Sequence, residues 1–147
     1  MSTVIRLSIA ATLALSPLSC TTPADLAEVQ QQLTGSFDWI ESSGGFAGQQ
    51  FTPASTGYAV RLEFAADRVR AYRDGALVGE ARITVAEDRQ RESPTPVYLV
   101  QYRPSLPVFP FAAFEEQYLH ITGKYTVQLS DPCCDLYSHT FSKQGVR

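Results

Sequence analysis

Beyond residue 35, apolar and polar residues alternate along this chain with a period of two. In the segment 58–64, Tyr, Val, Leu and Phe occupy every second position, and Arg61 and Glu63 lie between them. Side chains of a β-strand point alternately to the two faces of a sheet, so the pattern is typical of a strand with one face buried. The sequence predicts eight such strands, at residues 36–42, 57–65, 68–73, 76–85, 96–103, 117–122, 125–130 and 136–143.

Most of these predicted strands are joined by short turns, which indicates a meander. A meander of eight strands can close on itself, which removes the unpaired edges that an open sheet exposes. We therefore predict an all-β fold, an eight-stranded up-and-down antiparallel barrel, as one domain at residues 35–147. Ahead of it, Leu26, Val29 and Leu33 recur at helical spacing, which predicts a short helix within residues 20–34.

The turn between the third and fourth predicted strands decides which side chains share a face. A two-residue Asp-Gly turn would set Val69 opposite Glu80, whereas a three-residue loop at 73–75 sets Val69 opposite Gly79. A slip of one residue moves every side chain to the other face, and only the longer loop keeps the apolar residues together. We therefore predict the three-residue loop, with Gly75 in the left-handed conformation.

The first twenty residues resemble a targeting segment. Arg6 precedes a nine-residue, mostly apolar stretch at 7–15, and small residues and Cys20 follow. The stretch is shorter than the about 20 residues that cross a bilayer, so it predicts a signal peptide at 1–19 rather than a membrane span. Cys20 is predicted to be lipidated, which would make the membrane a partner through a lipid anchor. An ordinary signal peptide, with Cys20 free or in a disulfide, is the alternative.

This leader also predicts where the protein resides. A lipidated Cys20 would hold it in a bacterial cell envelope, with Thr21 favouring the outer membrane, facing the periplasm or the exterior. Residues 20–34 would then form the tether between the anchor and the barrel.

Charge and motif content argue against several functions. The chain carries 12 basic and 15 acidic side chains, a net charge of −3, so no basic excess favours nucleic acid as a partner. No Gly-x-Ser-x-Gly motif occurs, and no P-loop lysine follows the glycine-rich run at 44–48. The histidines and cysteines match no zinc-site spacing. We therefore expect a non-catalytic protein without a cofactor or a metal ion.

Cys133 and Cys134 are adjacent, in the turn before the last predicted strand. In an oxidising compartment two such cysteines tend to form a disulfide. A bridge between neighbouring residues closes a strained ring, and strained bridges are more easily reduced. Free or intermolecular thiols, and a metal or redox site, remain as alternatives.

Several segments of the chain resemble a family. The run GSFDWIESSGGFAGQQFTPASTG at 35–57, with LEFAADRVRAYRDGALV and LSDPCCDLYSHTF further on, is similar to small bacterial lipocalin-like lipoproteins. The resemblance spans residues 36–143 and implies a calycin-type eight-stranded barrel. It implies no established activity. The Gly-x-Trp start that is usual in lipocalins is replaced here by Gly35-Ser36-Phe37, and Trp39 follows two residues later.

A barrel interior rich in aromatic residues indicates a binding function. We predict an envelope-anchored, non-catalytic binding protein that holds a small apolar ligand. Five residues are candidates for lining the interior, namely Trp39, Tyr58, Tyr137, His139 and Phe141. His120 is predicted to lie on the opposite face of its strand, outside the core.

Two other functions compete with this prediction. Long connections are expected at 43–56 and 104–116, and both are rich in phenylalanine: Phe46 and Phe51 in the first, Phe109, Phe111 and Phe114 in the second. Exposed apolar clusters mark interaction sites, so the first alternative is a protein partner, for instance an envelope hydrolase that these loops inhibit. The second alternative is a packed structural barrel without a cavity, since eight strands leave an interior that side chains can fill.

Overall fold

The computed structural model describes residues 23–90, 96–133 and 137–145, with side chains from residue 26 onward. In these residues two helices and nine strands follow one another along the chain. They are α1 Pro23–Leu33, β1 Gly35–Gly44, β2 Gln49–Phe51, α2 Pro53–Thr56, β3 Val60–Phe64, β4 Arg68–Arg73, β5 Ala76–Glu87, β6 Tyr98–Phe109, β7 Ala112–Gly123, β8 Thr126–Ser130 and β9 Tyr137–Lys143.

Eight of these strands form a closed antiparallel barrel, as the sequence predicted. From β3 to β9 each strand pairs with the next along the chain, and β1 pairs with both β3 and β9. The closing register sets Trp39 opposite Phe141 and Ser42 opposite His139. The short strand β2 pairs with the last three residues of β1, beyond the part of β1 that pairs with β3. We call the end of the barrel that holds Gly44 the upper end.

Helix α1 packs at the lower end of the barrel. Its Val29 and Leu33 are buried in the same apolar core as Phe37, the third residue of β1. The ammonium group of Lys143 lies 5.5 Å from the centre of the Phe37 ring. The helical spacing of Val29 and Leu33, which predicted the helix, therefore also identified the side of α1 that is buried.

The turn between β4 and β5 differs from the prediction. It is a two-residue turn at Asp74 and Gly75, with φ of 50° and 81°, and Val69 faces Ala81 rather than Gly79. A β-bulge makes the shorter turn compatible with the apolar core. Val78 has no opposite residue on β4, so the register shifts by one residue there and Ala81 comes to lie opposite Val69. The predicted three-residue loop was wrong: Val69 and Ala71 are buried as the face argument required, but Leu77, which that loop would set opposite Ala71 on the same face, is 57% exposed.

The predicted long connection at 104–116 was also wrong. Strands β6 and β7 continue through it and meet in a tight turn, with Phe109 paired to Ala112. The prolines of this segment indicated a loop because proline cannot donate a ladder hydrogen bond. Here Pro104 and Pro107 lie where the register between β6 and β7 shifts, so those hydrogen bonds are not needed.

The connection at 43–56 is present but is not an open loop. A turn at 45–48 leads into β2, and α2 follows at once. Thr52 caps α2, since its side chain accepts a hydrogen bond from the Ser55 amide, and the Ser55 hydroxyl oxygen accepts one from the Thr52 amide. These hydrogen bonds order α2, and the pairing of β2 with β1 holds the segment against the upper end of the barrel.

Candidate functional site

The upper half of the barrel interior is filled by aromatic rings around Phe109. Because the sheet is closed, inward-pointing rings from β1, β6, β7 and β9 meet in this space. The ring centre of Phe109 lies 4.8 Å from that of His139, 5.0 Å from Trp39, 5.2 Å from Phe111, 6.1 Å from Phe114 and 6.5 Å from Phe141. Phe109 and Phe114, which the sequence suggested for a recognition loop, are therefore core residues.

Four of the five predicted lining residues are in or against this cluster. Trp39, His139 and Phe141 are buried inside the barrel. Tyr58 is half-buried and stacks on Trp39 with ring centres 5.8 Å apart. The guanidinium of Arg73 lies 5.5 Å from the centre of the Tyr58 ring and donates a hydrogen bond to the carbonyl of Val108.

Tyr137, the fifth, lies at the rim of the upper end. Its hydroxyl donates to the side-chain oxygen of Gln49 at 3.0 Å. Its ring centre is 5.1 Å from that of Phe111 and 5.9 Å from that of Phe51. Phe51 also stacks on Phe111 at 4.7 Å. These three rings thus cover the rings beneath them, and we call Phe51, Phe111 and Tyr137 the aromatic cover.

A buried polar chain lies below the aromatic cover. The indole N–H of Trp39 donates to Ser42 Oγ at 2.9 Å, and Ser42 Oγ lies 2.7 Å from His139 Nδ1. Ser42 accepts from Trp39, and in the neutral imidazole it either donates its hydroxyl proton to Nδ1 or accepts a second hydrogen bond from Nδ1–H, according to the tautomer. Nε2 is buried and has no partner among the described residues. Nothing in the sequence pattern indicated Ser42, because the bulge at residue 40 breaks the alternation there.

Burial determines the charge of His139. The side chain has no exposed surface, and desolvation lowers the pKa of His139 to about 3. The imidazole is therefore neutral at pH 7. The serine and the imidazole make a pair that is familiar from hydrolases, but here both are fully buried. Within the described structure, the pair satisfies the indole N–H of Trp39, the hydroxyl of Ser42 and Nδ1 of His139, and leaves Nε2 without a partner.

A cleft of about 590 Å³ opens beside the aromatic cover. It lies between the upper parts of β6 and β7 and the start of β9. The residues that line it are Arg103, Phe111, Ala112, Ala113, Glu115, Glu116, Gln117, Asp131, Pro132 and Tyr137. Of the predicted lining residues, only Tyr137 belongs to this cleft.

The polar floor of this cleft is built around Gln117. Only 1% of Gln117 is exposed. Its amide nitrogen donates to Asp131 Oδ1, and Asp131 Oδ2 accepts a hydrogen bond from the Tyr137 amide at 3.2 Å. The side-chain oxygen of Gln117 is buried and has no partner among the described residues. Sequence reasoning missed Gln117, because a polar residue at an inward position interrupts the apolar alternation that identifies a strand face.

Other predicted features lie on the surface or outside the described residues. His120 is half-buried and pairs with Gln128, away from the core, as expected. Cys133 is exposed, three residues after the end of β8. Cys134, Cys20 and the leader lie outside the described residues, so the disulfide and the lipidation stay predictions. In the described ranges no group of three or more His, Cys, Asp or Glu side chains is placed to hold a metal ion. No helix among those residues is long and apolar enough for a bilayer span.

Comparison with known proteins adds little to this description. No protein-family model matches the chain. No curated protein sequence matches it either. Among solved structures, a de novo designed fluorescence-activating β-barrel is similar, with 16% identity, 79% of this chain and 97% of the designed chain covered, and a TM-score of 0.38. The barrel architecture rests on the strand pairing itself, and the resemblance to lipocalin-like lipoproteins stays a prediction.

Proposed function

We propose that this protein is an envelope-anchored, non-catalytic binding protein that holds a small, largely apolar molecule at the upper end of its barrel. The observation that carries this proposal is the cleft of about 590 Å³ beside the aromatic cover. Small-molecule sites commonly have volumes of about 300–1,000 Å³, mostly apolar walls and a few fixed polar groups. Phe111, Tyr137 and Pro132 supply apolar surface in this cleft, and Gln117 and Asp131 supply polar groups, to which Arg103, Glu115 and Glu116 add charge.

The proposed position of the ligand differs from the one that the sequence suggested. Aromatic rings occupy the space around Trp39, His139 and Phe141, at centre-to-centre distances that correspond to direct packing. We therefore propose that the ligand lies against Tyr137 and Phe111, beside the aromatic cover, rather than beneath it.

The envelope anchor belongs to the same proposal and rests on the sequence. A charged residue, a short apolar stretch, small residues and Cys20 follow in the order typical of a lipoprotein leader. Two acyl chains on one cysteine are sufficient for stable anchoring, where one chain is marginal.

Filling the cleft should abolish ligand binding without unfolding the barrel. Ala113 is exposed and lines the cleft, so Ala113→Trp places an indole where the ligand would lie. Native mass spectrometry of the purified, unreduced protein should show a bound mass that disappears on denaturation. In Ala113→Trp this mass should be lost, with an affinity at least about tenfold lower, equivalent to about 1.4 kcal/mol.

Thr84→Trp is the matched control, because Thr84 is exposed on β5 and does not line the cleft. This variant should keep the bound mass, and both variants should unfold at the same urea concentration as the parent. Retention of the ligand in Ala113→Trp would contradict the proposal. A protein that carries no extra mass and binds no member of a panel of small apolar molecules would favour the packed structural barrel.

The alternative function, binding of a protein partner such as an envelope hydrolase, is favoured by one observation. Phe46, at the turn 45–48, is 97% exposed, which is unusual for a phenylalanine. Phe111, at the β6–β7 turn, lies at the same end of the barrel and is 38% exposed. A partner would therefore contact the upper end through the segments 43–56 and 104–116.

Two serine substitutions separate recognition from packing in the segment 43–56. Phe46→Ser should leave the free energy of unfolding within about 0.5 kcal/mol of the parent, because the ring contacts mainly solvent. Phe51→Ser removes a ring of the aromatic cover and should cost about 1–3 kcal/mol. Urea unfolding measures both. If Phe46→Ser destabilised the protein as much as Phe51→Ser, the Phe46 ring would be a packing residue and the partner hypothesis would lose its support.

A further inference from the structure

The charges around the cleft are unbalanced. Three acidic residues line it, Glu115, Glu116 and Asp131, against the single basic residue Arg103. The Glu116 carboxylate also accepts a hydrogen bond from Gln101 Nε2 at 2.8 Å, which leaves its charge in place. Arg103 already donates from Nη1 to the carbonyl of Tyr102 at 2.9 Å. The cleft therefore presents a net negative charge, and a positively charged ligand would be attracted to it.

The hydrogen bonding of Gln117 indicates a second property of the ligand, independently of the charge of the cleft. An ionised carboxylate can only accept hydrogen bonds, so the Gln117 side chain must turn its NH₂ group toward Asp131. Its carbonyl oxygen is then left buried without a partner among the described residues. A buried acceptor without a donor destabilises a structure by about 1–3 kcal/mol. A ligand that supplies an N–H donor would remove this cost.

The aromatic walls of the cleft indicate the chemistry of the rest of the ligand. The rings of Phe111 and Tyr137 have centres 5.1 Å apart and are inclined by 53°. Aromatic faces bind both apolar groups and cations, the latter within about 6 Å of the ring centre. In the described part of the chain no set of His, Cys, Asp and Glu ligands suits a metal ion. An organic cation fits these walls better than a bare ion does.

We infer that the cleft binds a small organic ammonium ion with an apolar body, an inference that rests on the proposed binding function. The ammonium group donates one hydrogen bond to the carboxylate of Asp131 and, once the buried Gln117 amide rotates toward the cleft, a second to its side-chain oxygen. The Asp131 oxygens each keep a lone pair for this, since each accepts one hydrogen bond from the protein. The apolar body lies against Phe111 and Tyr137.

Three probes of nearly equal shape test this inference. They are 2-phenylethylammonium, 2-phenylethanol and 3-phenylpropionate, titrated at pH 7 against the purified full-length protein by calorimetry. The ammonium ion should bind at least tenfold more tightly than the alcohol, and the carboxylate should bind most weakly. Added salt should reduce the preference for the ammonium ion, because it screens the charges of the cleft.

Charge-removing variants locate the effect. Asp131→Asn should lower the affinity for 2-phenylethylammonium at least tenfold and reduce that for 2-phenylethanol by a smaller factor, because the hydroxyl can donate to the same oxygens but carries no charge. Because Asp131 also holds the Tyr137 amide, Glu115→Gln serves as a second variant that removes one charge at an exposed position. It should lower the affinity for the ammonium ion alone, by a smaller factor. Glu28→Gln, on the exposed side of α1, is the control and should change nothing.

The outcomes distinguish this inference from the proposed function. Equal affinities for the three probes, all lost in Ala113→Trp, would overturn the preference for a cation and leave the binding cleft in place. Tighter binding of the carboxylate would overturn it as well and would indicate Arg103 as the anchor. If none of the probes bound while another molecule co-purified and was lost in Ala113→Trp, the ammonium class would be rejected and the binding function retained.

Discussion

Replacing Phe109 by alanine should lower the free energy of unfolding by about 3–5 kcal/mol, the range found when a buried aromatic side chain is truncated. Phe109 is almost fully buried and contacts rings from β1, β7 and β9 at once. Because these neighbours belong to different strands of a closed barrel, they cannot all move inward to fill the space. Urea unfolding at pH 7 measures the loss.

Phe109→Ala should also bind small aromatic molecules at a position where the parent protein has no space for them. An apolar cavity that is left by a deleted ring stays dry and takes up small aromatic guests. Benzene should therefore restore part of the lost stability of Phe109→Ala, in proportion to its concentration. Phe46→Ala, the same change at an exposed ring, is the control and should shift stability by less than about 0.5 kcal/mol, with no effect of benzene. A loss near 1 kcal/mol in Phe109→Ala would mean that the interior is loosely packed.

Lowering the pH from 7 to 5 should remove about 2 kcal/mol of stability through His139 alone. Burial lowers the pKa of His139 to about 3 in the folded protein, whereas the unfolded chain takes up the proton near pH 6.5. Protons therefore favour the unfolded state throughout this window. The stabilisation is complete above about pH 6.5 and is lost as the pH falls toward 3.

The chain has two histidines, so the matched control is available within it. His139→Asn should be less stable at pH 7, because it disturbs the hydrogen bond to Ser42, but its stability should change little between pH 7 and 5. His120→Gln should keep the part of the pH dependence that His139 produces. The idea fails if the dependence persists in His139→Asn or disappears in His120→Gln. The imidazole resonances of His139 should also stay constant from pH 7 to 5.

The strands and their inward faces were predictable because they follow from the order of apolar and polar residues along a short stretch of sequence. Alternation at 58–64 identified Val60, Leu62 and Phe64 as buried, and all three are. The errors arose where one residue disturbs the period of two. The bulge at Val78 altered a hairpin register, and prolines at register shifts made the strands β6 and β7 resemble a loop.

The candidate site was only partly predictable. Tyr137 was identified as an interior residue, and it lines the cleft. Gln117 was not, because a polar residue is not expected at an inward position of a strand, and Asp131 was not, because it follows β8 in the connection to β9. Their interaction joins β7 to the residue after β8 and exists only once those strands pair.

By itself the sequence determined that this chain makes strands, which side of each strand is apolar, and that eight of them suit a barrel. These properties follow from the local pattern, since a side chain's face in a strand depends only on its position along that strand. The tertiary structure decided which faces meet. The pairing of β1 with β9 brings Ser42 to His139, which is 97 residues away in the chain. The cleft likewise depends on pairing, because it forms only once β6 to β9 lie side by side and bring Gln117 to Asp131 and Tyr137.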